Sequence, residues 1–342
     1  VNTRYSRQIL FAPIGRAGQE KLRQSRVAIV GMGALGTVLS NHMVRAGVGF
    51  VRLIDRDFVE PSNLQRQMLY DEADAAEHLP KSIAAHAKLS RINSEVEIEP
   101  IVADLTAFNA EQWLTDVDLV LDATDNFQVR YLVNDVCVKH GIPWVYGGAV
   151  SATGTFTAIR PGVTPCLRCL FPEAPNPGEM ATCDTAGVIG PIIHIVASYQ
   201  ATEAFKILVG AEDAFNPNLE TFDIWNNQHQ QIKVANARRS DCPCCGQREF
   251  SFLEPDTQDG QAVSLCGRDT VQISPAAGQG GLDLAALEER LTPLGQVERN
   301  RFLLRLHVDP HTLVVFPDGR VLVQGTDDIS LARTLHAKYI GA

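Results

Sequence analysis

RVAIVGMGALGTVLSNHMVRAGVGFVRLIDRDFVEPSNLQR, residues 26–66, decides how the rest of the chain is read. Residues 27–30 are apolar and β-branched, as a buried parallel strand requires. Gly31, Gly33 and Gly36 then give the spacing G-x-G-x-x-G ahead of a helix expected over residues 34–46. Small residues in such a turn let the backbone approach a phosphate, and the first-turn N–H groups, with the helix dipole, favour its negative charge. A second strand, 50–54, ends at Asp55, about 20 residues past the glycines, where a carboxylate can accept hydrogen bonds from a ribose. Half of an adenine-nucleotide site is readable in this stretch.

The glycines do not choose among NAD, FAD and ATP, and a turn of this kind can also be purely structural. The residues after the second strand make the choice. Asp55 and Asp57 lead into a polar loop, residues 61–67, that contains Asn63 and the fixed cation Arg66. A pyrophosphate can be satisfied largely by the helix end, whereas a triphosphate needs further Lys and Arg and a metal ion. Lys81 opens a helix expected to run to residue 93; it stands at the wrong end for the helix dipole and so reads as facing an anion. A fourth strand, 119–121, runs into Asp122-Ala123-Thr124-Asp125-Asn126, and ligands of open α/β sheets sit beyond such carboxyl ends. Asp125 is therefore placed to meet phosphates through a hard metal ion, with a helix cap as the alternative role.

The chain of 342 residues is long enough for two domains, and 45% hydrophobic with 20% charged residues is the composition of an ordinary globular protein. A net charge of −10 with no Lys/Arg cluster argues against nucleic acid as the partner. The longest apolar stretch, 188–197, is too short to span a bilayer, and the opening residues do not read as a signal peptide. A cytoplasmic protein is expected, so its eight cysteines read as metal ligands, reactive thiols or core residues in preference to disulfides.

Strands at 27–30, 50–54, 96–102, 119–121 and 144–150, with helices between them, predict a doubly wound, Rossmann-like, mostly parallel α/β sheet. Residues 154–159 and a pair at 219–225 and 230–235 predict an antiparallel extension. Cys166-x-x-Cys169 and Cys242-Pro243-Cys244-Cys245-Gly246 have the spacing of two zinc knuckles, whose four thiolates suit a closed tetrahedral site. Cys245 is the fourth ligand if the second pair is read C-P-x-C-G, which leaves Cys244 over. Cys183 precedes an apolar helix expected over 188–209; a helix N-terminus lowers a thiol pKa, so it reads either as a nucleophile or as an inert loop cysteine. Residues 4–10 are short and cationic, with a solvated leader as the plain alternative to a functional role, while 19–23 read as a helix and 71–77 as an acidic connector. A break near 249–261 divides the chain into residues 1–250, the nucleotide-binding domain with the zinc site, and residues 260–342, a small C-terminal α+β domain with no catalytic constellation of its own.

GMGALG, IDRDFVEPSNLQRQ, Pro80-Lys81, DATDN, the two cysteine pairs and ATCDTAGVIGP occur in the order of the MoeB/ThiF type of adenylyltransferase, of the HesA/MoeB/ThiF family, bacterial relatives of ubiquitin-activating enzymes. The chain resembles that family over residues 4–248. The resemblance implies that Asp55 binds the ATP ribose, that Asn63, Arg66 and Lys81 hold the phosphates, and that Asp125 binds Mg2+. It makes Arg7 an arginine finger reaching into the partner subunit of a homodimer, Cys166, Cys169, Cys242 and Cys245 the Zn2+ ligands, and Cys183 the sulfur-handling cysteine. The implied reaction adenylates the C-terminal carboxylate of a small ubiquitin-like sulfur-carrier protein ending in Gly-Gly, which a persulfide donor or Cys183 then takes toward a thiocarboxylate. Three other readings stand beside it: activation of a carboxylate on a modified tRNA base, an NAD-dependent oxidoreductase, and a non-catalytic nucleotide-fold binding module.

Overall fold

The computed structural model describes residues 4–173, 183–254, 262–265, 269–275 and 281–341. The chain divides into two units, Val1–Asn176 with Ala186–Glu254, and Pro177–Thr185 with Pro255–Ala342. In the first unit, helices α1 (Ser6–Leu10) and α2 (Gly15–Gln24) precede strand β1 (Arg26–Val30). The opening residues are thus a docked helix, and the alternative of a solvated leader does not hold. Tyr5 is buried, its hydroxyl accepts a bond from Asn93 Nδ2 at 2.8 Å, and Gln8 donates to the Ala46 carbonyl at 3.0 Å.

Next come α3 (Ala34–Ala46), β2 (Phe50–Ile54), α4 (Glu72–Ala76), α5 (Lys81–Ile92), β3 (Glu97–Ile101), α6 (Ala110–Leu114), β4 (Leu119–Asp122), α7 (Phe127–His140), β5 (Trp144–Val150) and β6 (Thr153–Ile159). The rest is α8 (Leu167–Leu170), α9 (Cys183–Ala186), α10 (Gly190–Val209), β7 (Leu219–Asp223) and β8 (Gln228–Ile232). The long helix starts two residues later than its apolar run suggests, because Val188 bridges to Ser151.

The strand order is β3-β2-β1-β4-β5-β6-β7-β8. The first five are parallel and the last three antiparallel. From β1 the chain winds outward through β2 and β3, then crosses back to β4, so the order reverses between β1 and β4; a ligand crevice is expected beyond their carboxyl ends. Both faces of the parallel part are covered, which is why its central strands β1 and β4 carry the apolar runs 27–30 and 119–121, while the edge strand β3 is EIEPI. Val27 and Ile29 pack with Val38 and Leu39 of α3, Leu89 of α5 and Val196 of α10. Ala28 and Val30, on the other face, pack with Leu114 of α6 and with Tyr131, Val133 and Val136 of α7.

The second unit contains β9 (Ala262–Leu265), β10 (Thr270–Ile273), α11 (Leu284–Leu291), β11 (Gln296–Arg299), β12 (Leu304–Val308), β13 (His311–Val315), β14 (Val321–Gln324) and α12 (Ile329–Tyr339). The sheet order is β11-β12-β13-β14-β10-β9, all antiparallel. Val271, Leu306, Leu313 and Val323 pack against Leu287 and Leu291 of α11 and Ala332 of α12. Pro317-Asp318-Gly319 forms the β13–β14 turn, with Gly319 at φ +89°, and Phe316 and Arg320 paired across it at 2.9 Å. The edge strand β11 was not expected from the sequence, because QVER is polar and mostly exposed and carries no apolar alternation. Cys266 lies outside the described residues.

Candidate active site and cysteine cluster

The three glycines after β1 have different duties. Gly31 sits at φ +94°, and a Cβ there would come within 2.7 Å of the Ala123 carbonyl oxygen at the end of β4. A Cβ on Gly36 would overlap the carbonyl oxygen of Gly31. These two close the turn. Gly33 faces open space, its nearest neighbour being Gln67 Nε2 at 3.9 Å from a built Cβ. Gly33 is also the N-cap of α3 and supplies no capping side chain, so the helix presents its first N–H groups beside that space, as anion sites at helix N-termini do.

Charged groups surround the turn. Asp55 accepts from the Met32 N–H on Oδ2 and from the Asp57 N–H on Oδ1, both at 2.6 Å, which fixes its carboxylate while leaving each oxygen a lone pair for a hydroxyl. Burial raises its pKa, and the positive charge of Lys81 opposes that shift. Lys81 is 5% exposed and places Nζ 3.2 Å from Asp57 Oδ2. The Tyr70 hydroxyl donates to the carbonyls of Met32 at 2.7 Å and Lys81 at 3.1 Å, tying the glycine turn to the start of α5. Arg56 pairs with Asp104 at 2.9 Å and Asp57 at 3.6 Å. Despite burial, which acts the other way, Asp104, Asp57 and the more distant Asp125 raise its pKa.

Asp125 is exposed beyond β4, and the turn carrying it is anchored from below. Buried Arg130 donates from Nε to Asp122 Oδ2 at 3.1 Å and from Nη2 to the carbonyls of Thr124 at 2.6 Å and Gly147 at 3.0 Å. Gly147 must lack a side chain because the Gln200 amide lies against it, donating to the Asp122 carbonyl at 2.8 Å.

The structure brings Gly31, Gly33, Gly36, Asp55, Asp57 and Lys81 to one place, with the Asp125 turn alongside. Asn63 is buried and its Oδ1 accepts from the Glu60 N–H at 3.1 Å, while Arg66 Nη1 donates to the Ser62 carbonyl at 3.0 Å; both shape the loop next to Gly33. Arg7 is exposed on α1, and no described contact joins it to this cluster. Cys183 belongs to the second unit, begins the four-residue helix α9 instead of directly preceding α10, and has its side chain outside the described residues. Sequence reasoning missed Arg56, Gln67, Tyr70 and Arg130. Gln67 Oε1 is buried without a hydrogen-bond partner. The one available signal was position: Arg56 stands between the two carboxylates, and Gln67 ends the polar loop.

On the far side of α7, Cys166, Cys169, Cys242 and Cys245 bring their sulfurs within 4.8 Å of one another. The separations are 3.6 Å for Cys166 to Cys242, 3.4 Å for Cys169 to Cys245 and 3.9 Å for Cys166 to Cys169. Four thiolates on a tetrahedral zinc ion, with Zn–S of about 2.3 Å, stand about 3.8 Å apart, so the set fits that ion. A hydrogen bond with Cys166, together with burial, pushes the Cys169 thiol up to about 12, and burial with a hydrogen bond to Cys169 pushes Cys245 up to about 11. Only a cation makes four thiolates stable in such surroundings. Gly246 permits the second knuckle, since a Cβ there would overlap the Ser240 carbonyl oxygen. Cys244 lies beside the set without completing it: it accepts from Asn134 Nδ2 at 3.2 Å and is also hydrogen-bonded to Cys166 and Asp135.

Residues 5–244 match the family described as the ThiF family. The chain belongs to the ThiF family, as a MoeB/ThiF-type adenylyltransferase. It is 46% identical over 339 residues to the sulfur carrier protein ThiS adenylyltransferase of Bacillus subtilis (strain 168), covering 99% of both chains, so this similarity runs through the second unit as well. It is 39% identical over 260 residues to the sulfur carrier protein adenylyltransferase of Thermus thermophilus, covering 73% of this chain and 94% of that one. A crystal structure of E. coli MccB with ATP superimposes with a TM-score of 0.62 at 23% identity, over 72% of this chain and 75% of that one, and shares the fold. Among the described residues, no helix of this ThiF-family chain is long and apolar enough to cross a membrane.

Proposed function

We propose that this cytoplasmic enzyme uses ATP and Mg2+ to adenylate the C-terminal Gly-Gly carboxylate of a small ubiquitin-like sulfur-carrier protein, preparing it for thiocarboxylate formation. The observation that carries the reading is the open space at Gly33 at the N-terminus of α3, ringed by the fixed carboxylate of Asp55 and the buried ammonium of Lys81. Whole-length similarity to the Bacillus ThiS adenylyltransferase supports the choice of a carrier as substrate.

In this proposal residues 1–250 form the adenylylation domain and 260–342 a small appended domain. Asp55 accepts the ribose hydroxyls, the α3 N–H groups with Asn63, Arg66 and Lys81 hold the phosphates, and the exposed Asp125 carboxylate is a hard oxygen ligand for Mg2+, which would neutralise phosphate charge when bound. A carboxylate oxygen of the carrier attacks the α-phosphorus, the bond to the β-phosphate oxygen breaks, and pyrophosphate leaves with the electron pair. The attacking group is already ionised near neutrality, so positioning and charge neutralisation do the catalytic work and no general base is needed. Exposed Arg7 completes the neighbouring site in a homodimer, Zn2+ on the four cysteines is structural, and Cys183 or a persulfide donor acts on the adenylate. ATP–pyrophosphate exchange assayed with a Gly-Gly carrier, with tRNA and with neither tests this reading. Exchange with the carrier alone is expected, and exchange that requires tRNA overturns it.

A further inference from the structure

Two adjacent cysteines come directly after Pro243, and either could in principle supply the fourth thiolate, yet only the Cys245 sulfur joins the cluster. The difference traces to a side chain on another element. Asn134 of α7 is fully buried, and its amide is divided between the two knuckles. Its Oδ1 accepts from the Leu167 N–H at 2.8 Å, inside Cys166-x-x-Cys169, and its Nδ2 donates to Cys244 Sγ at 3.2 Å, inside the second pair. One rigid group, fixed by helix packing, therefore touches both segments, which are separated by 76 residues in sequence (Cys166 to Cys242). The same helix adds Asp135, which also hydrogen-bonds Cys244 and whose Oδ2 accepts from the Phe252 N–H at 3.0 Å, and Val138, which packs directly on the cysteines. Tyr131 donates to the Phe171 carbonyl at 2.8 Å and stacks on Phe252.

We infer that Asn134 is the positioning residue of the cysteine cluster: it ties off Cys244 and sets the register in which Cys245 becomes the fourth ligand. The inference rests on the cluster holding zinc. Partners that orient ligands from outside the coordination shell typically change metal affinity by about 10–100-fold when removed. None of the Asn134 side-chain bonds, to Leu167, Cys244 and Asp135, is to a ligand sulfur, so its loss leaves the donor set complete but unclamped.

The test uses the full-length chain carrying zinc and reads the metal directly, by zinc content and by the rate of zinc transfer to the coloured chelator 4-(2-pyridylazo)resorcinol. Asn134→Ala and Cys244→Ala should each keep one zinc per chain and release it roughly tenfold faster than the parent chain. The double variant should speed release by less than the product of the two single effects, because the two residues share a contact. Cys245→Ala is the reference for loss of a true ligand and should carry no zinc. Release at the parental rate in Cys244→Ala overturns the inference, as does a metal-free Cys244→Ala chain, which would make Cys244 a ligand. If Asn134→Ala does not fold, Cys244→Ala decides alone. A parent chain that binds no zinc would remove the premise without touching the adenylation reading, which pyrophosphate exchange reports separately.

Discussion

The two ends of α7 support sites of opposite electrostatic character. Near its N-terminus, capped by Asn126 through bonds to Gln128 N at 2.8 Å and Val129 N at 3.4 Å, the charged groups are already matched: Lys81 with Asp57, Arg56 with Asp104, Arg130 with Asp122. Farther along, at Asn134 and Val138, the same helix meets four thiols whose sulfurs converge on one point. The nucleotide end is therefore preorganised by its own ion pairs, whereas the cysteine end depends on what it binds. Substitutions should separate the two, the first set changing catalysis and the second changing stability.

The largest expected effect is at the cysteine end. Cys166→Ala should remove the zinc contribution, on the order of 10 kcal/mol for structural sites of this type, and unfold the knuckles. Zinc content together with thermal unfolding, with and without chelator, measures it; an equally stable, zinc-free variant would erase the contrast. Arg130→Met leaves Asp122 buried and unpaired and should cost about 3–5 kcal/mol by denaturant unfolding, showing that the nucleotide end also contains a structural pair beneath its ligand groups. Lys81→Ala should reduce carrier-dependent pyrophosphate exchange by about 10²–10³-fold with the Tm nearly unchanged, because the ammonium serves the ligand more than the fold. A large fall in Tm would assign it to structure.

The smallest effect sharpens the contrast by lying at neither end. Arg52 lowers the Asp116 pKa through a hydrogen bond, with Arg26 adding to it, but the Asp116 side chain is 46% exposed. A carboxyl whose folded pKa is depressed contributes stability above its unfolded value of about 3.9 and loses it as pH falls through the folded pKa. Asp116→Asn should thus destabilise by only about 0.5 kcal/mol at pH 7, and by less as pH drops below 4. A deficit that grows in acid would contradict that sign.

The β1–α3–β2 unit was legible because its signals are contiguous in sequence: an apolar run, three glycines and a carboxylate at the end of the next strand. The acidic stretch 71–77 reads as a connector, yet it folds as α4. Asp71 Oδ1 accepts from Ala73 N at 3.0 Å and Asp74 N at 3.1 Å, and Lys88 of the distant α5 neutralises both aspartates. The spacing of the cysteine pairs was visible; the reason Cys244 stands aside was not, because Asn134 lies 110 residues away. Tyr70 and Arg130 were equally hidden, since a tyrosine or arginine takes its meaning from the carbonyls it reaches, Met32, Lys81, Thr124 and Gly147. For Arg7 no local pattern assigned a role, which came from the family resemblance alone.

The central claim is that the group activated here is the terminal carboxylate of a carrier protein. The most direct measurement is ATP–pyrophosphate exchange with a Gly-Gly carrier beside the same carrier amidated at its C-terminus. Exchange with the free carboxylate and none with the amide is the predicted result. Exchange at equal rates with both would mean that the nucleophile is another group, and would contradict the account.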